Sequence, residues 1–310
     1  MSEFDLLVLG DCNPDLVLSG GNVEPAFGQS ERLVADARLT IGGSGAIAAC
    51  GAARLGLRTA FAGVVGDDVF GHFMLDSLAE RGIDTRGCLV DANRPTGLSV
   101  ILSRGEDRAI LTALGTIGDL RGGILDLDVV RASRHVHVSS YYLQSGLRPD
   151  LPELFREARE MGASTSIDTN WDPAERWNGG LLGLLDRTDV FFPNSAEARA
   201  ITGIDDIDVA AEALAGRGSV VAVKFGQGGG LALFGHEVVR SEAIPADVVD
   251  TTGAGDSFDA GFIAGRLAGW PLERCLALAV ACGSLSTRAA GGTAGQPTLE
   301  EGLAAMEGTV

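Results

Sequence analysis

The stretch DTTGAGDSFDAGF, residues 250–262, places a carboxylate, Asp256, directly behind Gly253-Ala254-Gly255 at the start of an apolar run. The first N–H groups of a helix lack intrahelical partners and carry the positive end of its dipole, so such a spot attracts an anion. Asp256 alone could be a helix-cap acid. That leaves the two glycines unexplained, whereas Gly-Ala-Gly offers a run of main-chain amides that phosphate oxygens can approach. With a hydroxyl beside Asp256 and a phosphoryl group over the glycines, the carboxylate can take the proton while the amides stabilise the developing charge. The helix field is expected to keep Asp256 ionised, and a side chain at Gly253 is expected to block the phosphate.

Outward from this stretch, the chain alternates strand and helix patterns. DLLVLG (5–10) reads as a buried strand, GAIAACGAARLG (45–56) as a helix of small residues, TAFAGVV (59–65) as a strand and DVFGHFMLDSLAERG (68–82) as a helix. From residue 134 the rhythm is regular: RHVHVSS, STSIDTN, DVFFPN and SVVAVKFG are strands separated by helical segments. This predicts βαβ units and a mostly parallel sheet covered on both faces. Residues 14–40, together with TGLSVIL and RAILTAL around a turn at SRGED (103–107), alternate in the manner of hairpins, and LALFG with EVVRSEAI reads as a second hairpin. These hairpins are expected to form an accessory β element on one core. Polar residues follow several strands: Asp11, Asn13, Ser139, Ser140, Asp168, Asn170, Asn194 and Gly226. In a parallel sheet those strand ends share one edge, where ligands bind.

The formal net charge of −18 argues against a nucleic-acid or anionic-membrane surface. Five scattered cysteines without CxxC spacing suit free thiols in a reducing cytosol. MSEFDLLVLGD has no basic flank of a signal peptide, and CLALAVACG is too short to cross a bilayer. His135 and His137 share a strand face but have no spaced third metal partner. No G-x-x-x-x-G-K-[ST] or G-x-S-x-G motif is present.

In this setting DTTGAGDSFDAGFI resembles the C-terminal signature of the ribokinase-like (PfkB) carbohydrate kinases. The resemblance runs in order along the chain through GDCNPDL, IGGSGAIAACGAARLG, GEDRAIL, PNSAEARAITG, KFGQGG and GGTAGQPTLEE. It implies one three-layer α/β/α domain over residues 1–310, with a small β lid from about 14–40 and 93–112. It implies an ATP-dependent kinase acting on a sugar-like primary hydroxyl, with Asp256 as catalytic base and Gly253, Ala254 and Gly255 as anion hole. Asn13, Asp15 and Gly43 would hold substrate hydroxyls. Gln144 is a further candidate reader, although a glutamine in such a loop is ordinarily exposed. Asn194, Lys224, Gly226 and Gly229 would lie on the nucleotide side, and Asn194 with Glu197 would order Mg²⁺ through water. Asp250 and Thr252 are the candidate site for a monovalent cation such as K⁺. A cytoplasmic enzyme is implied, and pairing of two lids in a homodimer follows by analogy.

One position departs: Ile47 stands where the family usually has an Asn that reaches the sugar, so the acceptor is left open between a sugar and a nucleoside. Two other classes compete. Residues 43–48, GSGAIA, fit G-x-G-x-x-A with Asp67 about twenty residues on, as in an NAD-binding oxidoreductase. An inactive sugar or nucleotide sensor would keep the fold without turnover.

Overall fold

Residues 2–104 and 107–308 are described by a computed structural model. The first half of the chain runs β1 (Leu6–Leu9), β2 (Pro14–Gly21), β3 (Val34–Ile41), α1 (Ser44–Arg54), β4 (Thr59–Ala62), β5 (Val64–Gly66), α2 (Val69–Ala79), β6 (Leu89–Asp91), β7 (Leu98–Arg104), β8 (Asp107–Ala113), α3 (Leu127–Arg131) and β9 (His135–Val138). The second half continues with α4 (Leu151–Glu160), β10 (Ser164–Ile167), α5 (Leu181–Leu185), β11 (Val190–Phe191), α6 (Ser195–Thr202), α7 (Ile207–Ala215), β12 (Val220–Lys224), β13 (Gly230–Phe234), β14 (Glu237–Ser241), α8 (Ala254–Leu267), α9 (Leu272–Ser286) and α10 (Leu299–Met306).

Eight strands form the main sheet in the order β14-β13-β12-β11-β10-β9-β1-β4. Pairing is parallel from β4 to β12 and antiparallel for the last two pairs. Alternation along β1 separates the two cores: Leu7 and Leu9 join the apolar cluster that includes α4, α6 and α7, while Leu6 and Val8 join the one that includes α1, α8 and α9. A sheet buried on both faces needs continuous apolar strands, which is why β1 is buried at all four residues. This is the three-layer architecture read from the strand–helix rhythm.

The lid is a separate four-stranded sheet in the order β3-β2-β7-β8. Two antiparallel hairpins join through a parallel β2–β7 pair. In the SRGED turn, Gly105 and Glu106 lie outside the described residues.

Two expectations differ from the structure, and one element goes beyond them. The second hairpin is β13–β14, and it extends the main sheet instead of forming an accessory element; the buried Gly230–Leu233 run packs in the core and cannot face solvent. The run 59–65 is not one strand. It breaks at Gly63, where a Cβ would stand 2.7 Å from the Gly10 carbonyl, and β5 then pairs with β6. The closing segment contains α10, whose capping box between Thr298 and Glu301 is a readable start signal.

Candidate active site

The parallel strands bring their carboxyl ends to one edge, and α8 begins there. Gly253 caps α8 in a left-handed conformation, φ 74°. A Cβ on Gly253 would lie 2.7 Å from the Gly292 carbonyl and 2.8 Å from Ile47 Cγ2. Its missing side chain therefore faces packed protein rather than a ligand, which corrects the expectation that a substituent there would block phosphate. Gly255 is the open position: its nearest neighbour would be Lys224 Nζ at 3.5 Å. The Ala254 amide bends back to the Thr251 carbonyl at 3.3 Å. Among the described residues, the Gly253, Gly255 and Asp256 amides donate to no protein acceptor. The cradle is thus weighted towards Gly255 and Asp256 rather than Ala254.

Beneath these amides lies a buried charge cluster. Lys224, at the end of β12, donates to Asp168 Oδ2 at 2.7 Å and to both oxygens of Asp259 at 3.2 and 3.3 Å. Oxygens of Asp168, Asp256 and Asp259 lie within 4.8 Å of one another. Burial alone would raise Asp168, but the Lys224 charge and the hydrogen bonds it accepts hold it below its ordinary value. Burial pushes Asp259 well up, against Lys224 and with Asp168. Lys224 therefore favours the ionised form of Asp168, while burial works against the ionised form of Asp259. Asp256 is also pushed well up, first by burial and then by Asp168, with Lys224 opposing. The shift runs opposite to the one expected from the helix end, because desolvation of a buried carboxylate outweighs a field that fades within one turn; when ionised, Asp256 takes up a proton more readily than a surface carboxylate. Asp259 was not singled out in the sequence, although its three-residue spacing from Asp256 puts both on one helix face.

On the other flank, Asp11 caps α1 through the Ser44 and Gly45 amides at 3.0 and 2.9 Å. Those are the amides a dinucleotide would need, and Asp67 pairs with His72 at 3.1 Å, so the G-x-G-x-x-A match is a helix start. Asn170 donates to Ser44 Oγ at 2.6 Å and to Ser140 Oγ at 2.8 Å, drawing the β9, β10 and α1 ends together. Asn13 and Asp15 are buried, and Asn13 Oδ1 has no partner. Burial and the neighbouring Asp11 raise Asp15 to about 7. Gly42 and Gly43 make room for them: a Cβ on Gly42 would overlap the Asp15 carboxylate, and one on Gly43 would stand 3.0 Å from Asn13 Oδ1. Gln144 is not exposed; it is fully buried with both side-chain amide atoms unpartnered. Ile47 points beneath the α8 turn, against Gly253 and Gly292, instead of presenting a polar group.

Behind the cradle a cavity of about 470 Å³ is bounded by Lys224, Gly226, Gly229, Ala243–Ala246, Gly255, Val280 and Ser284. Gly229 is obligatory, since a Cβ would overlap the Ser241 carbonyl. The 243–246 loop and the α9 residues carry no motif and were not anticipated. Asn194 and Glu197 form a reciprocal cap at the start of α6, with the Glu197 amide 2.9 Å from Asn194 Oδ1 and the Asn194 amide 2.8 Å from Glu197 Oε2. Burial raises Glu197 to about 7, with Asp168 next. Since the cap already engages these groups, they fit an Mg²⁺ held through water and not a direct inner shell.

Asp250 and Thr252, the candidate cation pair, form one closely bonded turn. Asp250 Oδ1 accepts from the Thr252 amide at 2.9 Å and its hydroxyl at 2.7 Å, Oδ2 accepts from the Gly291 amide at 2.8 Å, and the Arg108 guanidinium lies 3.7 Å away. His135 and His137 join Ser164, Ser166 and Ser139 in a buried hydrogen-bonded chain.

At this edge the unengaged Gly255 and Asp256 amides lie beside the buried Asp256 carboxyl, and Gly255 lines the cavity. Residues 4–299 match the model of the pfkB family carbohydrate kinases, and the chain belongs to that family. It is 33% identical over 271 residues to a fructokinase of Klebsiella pneumoniae, covering 83% of this chain and 88% of that protein. It is 31% identical to an ATP-dependent ribose-1-phosphate kinase of Halopiger xanaduensis, covering 91% of each. The Arabidopsis thaliana ribokinase solved with ribose and ATP superposes with a TM-score of 0.85 at 25% identity, covering 99% of both chains. The adenosine kinase of Sinorhizobium meliloti gives a TM-score of 0.85 at 26% identity, covering 99% of this chain and 100% of that one. The chain is therefore a sugar kinase of this family.

Proposed function

We propose that the protein transfers the γ-phosphoryl group of ATP to a primary hydroxyl of a polyhydroxy acceptor. The observation that carries this is the pair of unengaged amides, Gly255 and Asp256, beside the buried Asp256 carboxyl, with Gly255 lining the 470 Å³ cavity. Gly226 and Gly229 border the nucleotide. The Gly255 and Asp256 amides hold the transferring oxygens, assisted by the Lys224 charge beneath them. Asp256 orients the acceptor hydroxyl and takes its proton as that oxygen bonds to phosphorus and ADP departs. A carboxyl raised by burial is a stronger base than a helix-end carboxylate, so the protein gains proton affinity where it is used. Asn194 and Glu197 would hold Mg²⁺ through water, and that ion would offset phosphate charge.

Asn13 Oδ1 and the Gln144 amide are buried without partners, and an unmet buried polar group is costly. Hydroxyls of the acceptor satisfy them in this reading, together with Asp15 and the Gly43 turn. A single catalytic unit with a closing lid excludes water from the transfer. Ile110 and Leu111 on the edge strand β8 are about half exposed, and pairing of two lids in a homodimer would cover them. A cytosolic setting accords with five free thiols.

The test is ADP release with Mg·ATP across pentoses, hexoses, deoxy-keto acids and nucleosides, with the phosphorylated product weighed by mass spectrometry. One acceptor class giving one product per ADP supports the reading. ADP formed without any phosphorylated acceptor, or NAD(H) binding without ATP turnover, contradicts it.

A further inference from the structure

We propose that Arg108 is a positioning residue that joins the lid to the Asp250–Thr252 turn, so that the lid and the amide cradle take up their working shape together. The inference rests on the kinase reading above but on separate observations. Arg108 lies on β8, the outer strand of the lid. Its Nη1 donates to Thr252 Oγ1 at 2.9 Å and to Thr251 Oγ1 at 3.3 Å, 144 and 143 residues away in sequence. Asp250 Oδ1 completes the contact at 3.7 Å.

The turn it grips is built to transmit position. Asp250 is fixed from both sides, by the Thr252 amide and hydroxyl on one oxygen and by the Gly291 amide on the other. Thr252 is buried, and the next residue, Gly253, packs against Gly292 and Ile47 with no room for a side chain. A displaced Thr252 therefore cannot be absorbed locally. It moves Gly253, and with it the Gly255 and Asp256 amides two and three residues on. The strand carrying Arg108 pairs along its length with β7, which pairs with β2 above Asp15. Lid strand, guanidinium, turn and cradle thus form one mechanical line.

The contact is also suited to opening. Arg108 is about one-third exposed, and an ion pair of that exposure is weak and screened by salt. A fully buried pair would hold the lid shut, whereas this one can release once per turnover. All three contacts come from Nη1, whose hydrogens are held in the guanidinium plane and so point in fixed directions, whereas an ammonium turns freely on its stem and is a more strongly hydrated point charge.

Hydrogen exchange on the full chain, read by mass spectrometry, separates this from a merely structural role. Arg108→Ala is expected to speed exchange about tenfold both in the β7–β8 amides and in the hydrogen-bonded Thr252 and Ala254 amides of the 251–256 segment. Arg104→Ala, which removes the tie from β7 to Glu24 inside the lid, is expected to loosen the lid amides alone. Unchanged protection of the Thr252 and Ala254 amides in Arg108→Ala would overturn the proposal. In turnover, Arg108→Ala is expected to release several ADP per phosphorylated acceptor where the wild type releases one, with Arg108→Lys intermediate; an unchanged ratio would equally overturn it. Should the wild type phosphorylate no acceptor, the kinase reading falls, and the exchange result still decides whether lid and cradle are coupled.

Discussion

Replacing Lys224 by Met tests the charge cluster under the cradle. The ammonium sits 2.7 Å from Asp168 and 3.2 Å from Asp259, with Asp256 in the same 4.8 Å group, and its side chain is only 12% exposed. Methionine keeps most of the volume and removes the one cation among three buried carboxyls. Breaking a buried pair by removing one partner costs about 3–5 kcal/mol, because a charge is left desolvated. At ~2 °C per kcal/mol for a chain of this size, the melting temperature at pH 7 should fall by roughly 6–10 °C. The loss should shrink on acidification. Without Lys224, the carboxyls have folded pKa values above their unfolded ones. Such groups cost stability as pH rises past the unfolded value and cost nothing once protonated, so the deficit should be smaller at pH 5 than at pH 7. Asp259→Asn combined with Lys224→Met should lose less than the two single variants added, because the pair is coupled. Calorimetry and urea unfolding at the two pH values provide the measurement. A fall below about 2 °C at pH 7, or a deficit that grows on acidification, would refute the reasoning.

The His135–Ser166–His137 chain carries a second pH signature. Burial lowers His135 to about 3, with His137 next, and lowers His137 to about 4, with Asp168 opposing. Folded values below the unfolded ~6.5 mean that the unfolded chain binds more protons as pH falls. Stability should therefore drop below about pH 6, at a slope approaching ~2.7 kcal/mol per pH unit from these two groups, and His135→Gln should halve that share in urea titrations. A stability flat from pH 6 to pH 4.5 would contradict it. Gly253→Ala should cost roughly 1–2 kcal/mol in backbone strain alone, more with the Gly292 contact, and so lower the melting temperature. Gly255→Ala, in open space beside Lys224 Nζ, should leave stability nearly unchanged while raising the KM for ATP; a melting curve and a kinetic run on each variant distinguish them.

The residues that carry a local physical signal were legible. DTTGAGD announced a helix start with exposed amides, and the strand–helix rhythm announced the parallel sheet and the edge where Asp168, Asn170, Asn194 and Lys224 meet. What escaped was set by packing across the chain. That Gly253 faces Ile47 and Gly292, and not the cleft, follows from the direction of a Cβ, which no spacing rule supplies. The sign of the Asp256 shift depends on burial and on Asp168, Lys224 and Asp11 from distant parts of the chain, whereas the one-dimensional reading saw only its own helix. Gln144 looked like a turn residue because burial of an unpartnered amide leaves no trace in sequence. The cavity wall at Ala243–Ala246 is an irregular loop without periodicity, and Arg108 meets Thr252 across 144 residues. Asp259 and the Thr298–Glu301 cap were readable in principle, by helical spacing and by the T-x-x-E pattern.

The proton-accepting role proposed for Asp256 is tested most directly by single-turnover transfer from ATP in Asp256→Asn, an isosteric change that would remove the base and keep the amides. The rate should fall at least ~10²-fold, with ATP affinity and the unfolding midpoint nearly unchanged. A variant that transfers at a near-normal rate would show that the hydroxyl proton leaves by another route.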